Sequence, residues 1–462
     1  MLRSDGGAPR ISSNRGVRWT AEQVLALAPD DASRRAGGKL GTAGPWSETG
    51  SGAGDGTVWG LCKGSGRTPY RTVVDTTGPA YQCSCPSRKF PCKHALGLLL
   101  LWAAGADAVP EDAGAPPEWA EKWLAGRRSR AEKRREDAAA GAGGGSADPE
   151  AARRRAERRA ARITSGAAEL EQRLADLLRD GLASAGQAGY GWWEETARRM
   201  VDAQAPGLAG RVRELGAIPG SGPGWPVRLL EESALTHLLG TAWLGVERLP
   251  EPLAATVRTR VGLPSSAAGP AIRDQWLVLA QYDTSDGKLT TRRVWLYGRA
   301  SGRTALLLSF GAGGRAPELA LPVGAAIDAE VTPHPGGGRL RAELGDRFSQ
   351  PVPIDAPPPG GTVGDALTAY GLALRDDPWL DSWPVTLTGV VPVPAQTGWQ
   401  LADADGDAAL PVTHTALNRP GLWRLASVSG GAPVTVFGEC GHRGFTPLAV
   451  WSPDTSETVP LT

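Results

Sequence analysis

The feature that most constrains this chain is a cluster of soft metal donors. Cys83, Cys85, Cys92 and His94 fall in the run Cys83-Ser84-Cys85-Pro86-Ser87-Arg88-Lys89-Phe90-Pro91-Cys92-Lys93-His94. The spacing is Cys-x-Cys, six residues, then Cys-x-His. Zinc takes four such ligands at tetrahedral corners, with Zn–S near ~2.3 Å and Zn–N near ~2.0 Å. In extended chain alternate side chains share a face, so Cys83 and Cys85 are expected side by side. A six-residue loop with two prolines can return Cys92 and His94 over that face. Four protein ligands leave no open position, so one structural Zn2+ is expected. A Cys83–Cys92 disulfide would need an oxidising compartment and would leave Cys85 and His94 without a role. The Cys-x-x-Cys of redox proteins is not found here. Cys62 reads as a strand core residue. Cys440, near His442, reads as a loop or core thiol.

The segments around the ligands read as a small module. Residues 57–63 and 70–75 read as strands separated by the turn Gly64-Ser65-Gly66, and residues 80–85 as a third extended piece. From Cys92 the chain becomes a helix that is apolar almost all round, so it must be well buried. A hairpin of this size is marginal alone. Loss of zinc is therefore expected to unfold residues 57–104.

This pattern resembles the SWIM zinc finger, a ββα module. Beyond the ligands, Trp59-Gly60-Leu61-Cys62-Lys63-Gly64-Ser65-Gly66 and Pro69-Tyr70 resemble the N-terminal module of actinobacterial SWIM zinc-finger proteins. The resemblance implies binding to DNA or to protein. It also implies an adaptor alternative, because bacterial proteins of this type resemble components encoded near MoxR-type AAA+ ATPases and von Willebrand A-domain proteins. The chain itself carries no ATPase signature.

The rest of the sequence divides by texture, and an α+β protein is expected. Residues 1–56 read as an N-terminal tail with short helices, residues 1–15 disordered and 36–56 as loop. Thr20 and Gln23 form a capping box there. Residues 57–104 are the finger, and 105–164 a linker with a basic helical segment, in which Asp148 caps a helix beginning at Pro149. Residues 165–265 are helical, with Leu170, Leu174, Leu177, Leu178 and Leu182 at helical spacing. Residues 270–462 are β-rich, with a hairpin turn at Ser285-Asp286-Gly287. Further strands are expected at residues 305–310, 383–391, 399–402, 422–427 and 434–438.

Charge is unevenly placed. Residues 1–163 carry 26 Lys and Arg against 18 Asp and Glu, whereas residues 164–462 carry 24 against 31. A basic first third suits an anionic partner, although it also suits plain solvation. Arg67, Arg71, Arg88, Lys89 and Lys93 surround the ligands and are the candidate contacts for nucleic acid or a partner protein. The arginine runs at 127–135 and 153–162 could join them by neutralising phosphates, or could pair with Glu132, Glu136 and Glu157.

Signs of catalysis are few. The chain has 5 His, of which His94 is a ligand. His237 reads as a helix residue, and His334, His414 and His442 lie in turns or between strands. The glycines at 311–314 lack the Lys-Ser/Thr of a phosphate loop. Asp403, Asp405 and Asp407 lack the later Glu of a calcium loop and read as a hairpin turn. A non-enzyme is expected. Residues 1–18 show no leader, and the longest apolar run, residues 96–104, is far short of the ~20 that span a bilayer. A cytoplasmic protein without membrane contact is expected.

Overall fold

The computed structural model describes residues 18–462 other than 29–30, 53–55, 65, 77–79, 88, 90, 106, 112–113, 144–148, 188, 268, 286–288, 313–316, 318, 337, 339, 397 and 453–456. The expectations for residues 1–15, Ser65, Arg88, Asp148, Asp286 and Gly287 fall outside the described residues.

The N-terminal part runs α1 (Ala21–Ala26), α2 (Asp31–Gly38), β1 (Trp46–Ser51), β2 (Thr57–Cys62), β3 (Tyr70–Asp75), β4 (Ala80–Cys83) and α3 (Lys93–Ala103). The capping box forms as expected: the Gln23 N–H donates to Thr20 Oγ1 and the Thr20 N–H to Gln23 Oε1. The four strands make one antiparallel sheet in chain order. Strand β1 corrects the expected loop at 36–56. Its mostly polar sequence, Trp46-Ser-Glu-Thr-Gly-Ser, has low intrinsic strand preference. Pairing with β2 and burial of Trp46 place it in the sheet.

Both faces of this sheet are covered. Val58 and Val74 pack with α3, which buries Ala95, Leu96, Leu98, Leu99, Leu101 and Trp102. One residue along each strand, Trp59 and Val73 pair and pack against Ala120, Trp119 and Trp123 of α4 (Glu118–Gly143). The finger core also takes in Trp19, Val24, Leu27 and Trp46, residues placed in the N-terminal tail by sequence alone. Glycine lets α2 come close: a Cβ at Gly37 would lie 2.7 Å from Leu96 Cβ, and one at Gly97 would lie 2.6 Å from Leu40 Cβ.

The middle is helical: α5 (Pro149–Asp180), α6 (Leu182–Gln187), α7 (Gly189–Asp202), α8 (Pro206–Ala217), α9 (Trp225–Leu244) and α10 (Glu251–Val261). The basic run at 153–162 and the leucine stripe share the single helix α5. Leu170, Leu174 and Leu177 enter the bundle core, whereas Leu178 is 49% exposed. Gly181, at φ 84°, separates α5 from α6, so Leu182 begins the next helix. Trp379 reaches into this core from the C-terminal region, and its indole N–H donates to the Leu235 carbonyl at 2.9 Å.

The C-terminal region holds two six-stranded sheets. The first contains β5 (Ile272–Ser285), β6 (Leu289–Gly298), β7 (Thr304–Ala312), β8 (Ala325–Pro333), β9 (Arg341–Arg347) and β10 (Val352–Pro353). Strand β9 pairs with both β7 and β8, so five of these strands close on themselves as a barrel. After α11 (Val363–Asp376) the second sheet has β11 (Ser382–Ala395), β12 (Gly398–Asp403) and β13 (Ala409–Pro411). Helices α12 (His414–Leu417) and α13 (Gly421–Ser429) precede its β14 (Val434–Gly441), β15 (Gly444–Trp451) and β16 (Thr458–Pro460). The Asp403–Asp407 segment is the expected turn, between β12 and β13. Residues 422–427, expected as a strand, are helical. Leu422, Leu425 and Ser429 are buried at a helical period, and Gly430, at φ 54°, closes the helix.

The two sheets share a core of Leu277, Leu279, Trp295, Phe437, Leu448 and Trp451. Glu439 ties them by accepting from Tyr282 Oη at 2.7 Å, Trp295 Nε1 at 2.9 Å and Ser382 Oγ at 3.0 Å. The finger rests on the barrel side. Ala320 enters the finger core, and Gln23 Nε2 donates to the Gly324 carbonyl at 3.3 Å.

Candidate metal centre

Strand β3 and the start of α3 build the centre. Tyr70 and Thr72 alternate onto the same face of β3, and Thr72 pairs with Cys83 on β4. Thr72 Oγ1 lies 3.3 Å from Cys83 Sγ, and the Tyr70 ring lies 4.7 Å from the His94 ring. Past Cys83 the chain stays fastened to β3. The Ser84 N–H donates to the Arg71 carbonyl, and the Arg71 N–H donates to Ser84 Oγ, each at 3.0 Å. Cys92 is the N-cap of α3, where its Sγ accepts from the Ala95 N–H at 3.5 Å. A helix N-terminus favours negative charge, so it suits a thiolate ligand.

The donor atoms of Cys83, Cys85, Cys92 and His94 all lie within 4.8 Å of one another. Cys83 Sγ and His94 Nδ1 are 3.7 Å apart. Tetrahedral zinc with ordinary bond lengths would separate sulfur from nitrogen by ~3.5 Å and sulfur from sulfur by ~3.8 Å. The donor set therefore fits one structural Zn2+. Cys92 and His94 are buried, and Cys83 and Cys85 half-buried, so a bound ion has its four positions filled from the protein.

The thiols are already unequal. Hydrogen bonding from Cys92, helped by His94, Thr72 and the Cys85 backbone, outweighs burial and lowers the Cys83 pKa to about 4. The bond to Cys83 and burial push Cys92 up, and burial raises Cys85. Cys62 stays outside the cluster, fully buried, with burial raising its thiol to about 11. Cys440 is likewise a buried thiol raised by desolvation. Among the described residues, the four ligands form the one His, Cys, Asp and Glu group arranged to hold a metal.

The other candidate contacts are spread over the module. Arg67, Arg71, Lys89 and Lys93 are all exposed. Lys93 sits between two ligands, whereas Arg71 alternates to the opposite face of β3 from Thr72. The arginines of the middle region are mostly engaged within the chain. Arg127 pairs with Asp75 at 3.5 Å, Arg128 with Glu121, Arg153 with Glu157 at 2.8 Å and Arg154 with Glu150. Arg159 donates to the Gly262 carbonyl and Arg162 to Gln204. The side chains of Arg130, Lys133, Arg134, Arg135 and Glu136 lie outside the described residues. Sequence reasoning missed Tyr70, Thr72 and Ser84 as supports of the centre. Their period-two alternation was the available signal.

A sheet and helix clasped by a closed Cys3His site define a structural zinc-finger module. Comparison with known families agrees: residues 70–103 match the SWIM zinc finger, and residues 158–261 match the SWIM-associated four-helix bundle domain. The resemblance to SWIM zinc-finger proteins thus holds over the finger and extends into the bundle of α5 to α10. No curated protein and no solved structure matches the chain. No helix among the described residues is long and apolar enough to cross a membrane.

Proposed function

We propose that this chain is a non-catalytic cytoplasmic protein whose zinc finger contacts nucleic-acid phosphates. The observation that carries the reading is the charge of the module. Residues 57–104 contain six Lys and Arg and one acidic residue, Asp75. Asp75 is turned to Arg127 of α4. Arg67, Arg71 and Lys93 are exposed and form no ion pair among the described residues. Sheet pairing holds the backbone of Arg71, and the neighbouring zinc ligands Cys92 and His94 hold that of Lys93, so phosphate contacts there would need little further ordering. The pairing of the middle-region arginines argues for a footprint centred on the finger.

Binding to duplex DNA would then weaken steeply with salt, because each phosphate contact contributes about −0.9 to the slope of log affinity against log salt. Replacing Arg67, Arg71 and Lys93 together by Ala should make the slope shallower by ~2.7, with zinc content unchanged. No DNA affinity at low salt, or a slope unmoved in the variant, would refute the reading.

A second reading, the protein adaptor for an AAA+ ATPase or von Willebrand A-domain partner, is favoured by α9. Val227, Leu230 and Leu238 lie along its outer face at 61%, 48% and 42% exposure. Capture of such a partner by the zinc-loaded chain in nuclease-treated lysate, together with no DNA affinity, would favour it.

A further inference from the structure

A cleft of about 700 Å³ opens where the finger's first helices meet the barrel and the second sheet. It lies away from the zinc ligands, none of which lines it. Its size is within the ~300–1,000 Å³ range of small-molecule sites. Four arginines line it: Arg34 of α2, Arg292 of β6, Arg419 just before α13 and Arg424 in its first turn. One is already committed. Arg292 forks onto Asp283 at 2.7 and 2.8 Å and also donates to the Leu319 carbonyl.

The other three are not neutralised. Arg34 and Arg419 have no side-chain hydrogen bond or ion pair among the described residues, and the Arg34 Nε is buried without an acceptor. Arg424 has one bond, from Nη1 to the Pro460 carbonyl at 3.3 Å. An unpaired guanidinium N–H removed from water carries a desolvation cost that an acceptor would relieve. Apart from Asp283, Glu457 is the other acidic side chain lining the cleft. Among the lining side chains, three cations stand against Glu457, a net positive charge that suits an anion such as a phosphate monoester, about −1.5 to −2 at neutral pH. The planar fork of arginine also suits phosphate oxygens. Leu25, Leu27, Pro420 and Val459 add apolar wall.

We propose that this cleft binds a small phosphate monoester with an apolar body, its phosphate held by Arg34, Arg419 and Arg424. The site is built by three parts of the chain, so occupancy would brace the finger against the C-terminal sheets.

The test is calorimetric titration of the full zinc-loaded chain with phenyl phosphate, inorganic phosphate and benzoate. Phenyl phosphate should bind more tightly than either of the others. Arg419→Ala, which removes no hydrogen bond or ion pair among the described residues, should weaken it at least tenfold, and Arg34→Ala should do the same. Lys93→Ala on the finger should leave it unchanged, which separates this site from the nucleic-acid reading. No binding of phenyl phosphate, or equal binding by both arginine variants and the parent chain, would overturn the proposal. Benzoate or inorganic phosphate binding as tightly would overturn the assigned ligand class.

Discussion

Chelating zinc from the full-length chain should open the centre without dismantling the module around it. The six residues between Cys85 and Cys92 cost roughly 6–12 kcal/mol to order, at ~1–2 kcal/mol each. Structural zinc supplies an apparent ~10–16 kcal/mol, so the metal can offset that cost by itself. Helix α3 does not depend on zinc to the same degree. Its Leu96, Leu98, Leu99, Leu101 and Trp102 are buried against α1, α2 and the sheet. At ~1.5–3 kcal/mol per buried side chain, they contribute roughly 8–15 kcal/mol as an upper bound. The expectation from sequence, unfolding throughout 57–104, is thereby narrowed. Hydrogen exchange followed by mass spectrometry should show protection lost over residues 83–95. Residues 57–62, 70–75 and 98–103 should keep theirs, as should the C-terminal sheets. Cys92→Ser should reproduce the pattern and drop zinc from near one equivalent to almost none. Exchange that spreads equally over β2, β3 and all of α3 would refute the packing argument. Full zinc retention by Cys92→Ser would refute the ligand assignment.

Two further outcomes are expected. Gly207→Ala should destabilise the bundle by ~1–3 kcal/mol, read as a lower midpoint in urea, because a Cβ there would lie 2.0 Å from the Arg260 carbonyl oxygen; an unchanged midpoint would contradict this. His334 is buried between Ser265 and Glu343, and burial, with Arg341 nearby, lowers its pKa from the ordinary 6.5. The unfolded chain therefore takes up that proton first, and stability falls as pH drops through about 6.5 toward the folded value. His334→Gln should flatten that part of the pH profile of thermal stability, and an identical slope in the variant would count against it.

The zinc centre was legible in the sequence because its ligands lie within twelve residues, and metal geometry acts on that local spacing. The same holds for the Thr20 capping box, the burial of α3 and the helices of the bundle, where propensity and period agree. Other features depend on what packs against a segment. Strand β1 is mostly polar, and pairing with β2 makes it a strand. Residues 422–427 are apolar enough to read as a short strand, yet Leu422 and Leu425 find their burial on one helical face. Closure of the barrel rests on β9 meeting both β7 and β8, a pairing that no local pattern encodes. In the cleft, Arg34 lies 385 residues before Arg419, whereas Arg419 and Arg424 are near neighbours in the chain. Only the packing of the finger on the sheets brings Arg34 to Arg419 and Arg424, because burial and charge proximity are properties of the folded surface and not of any segment.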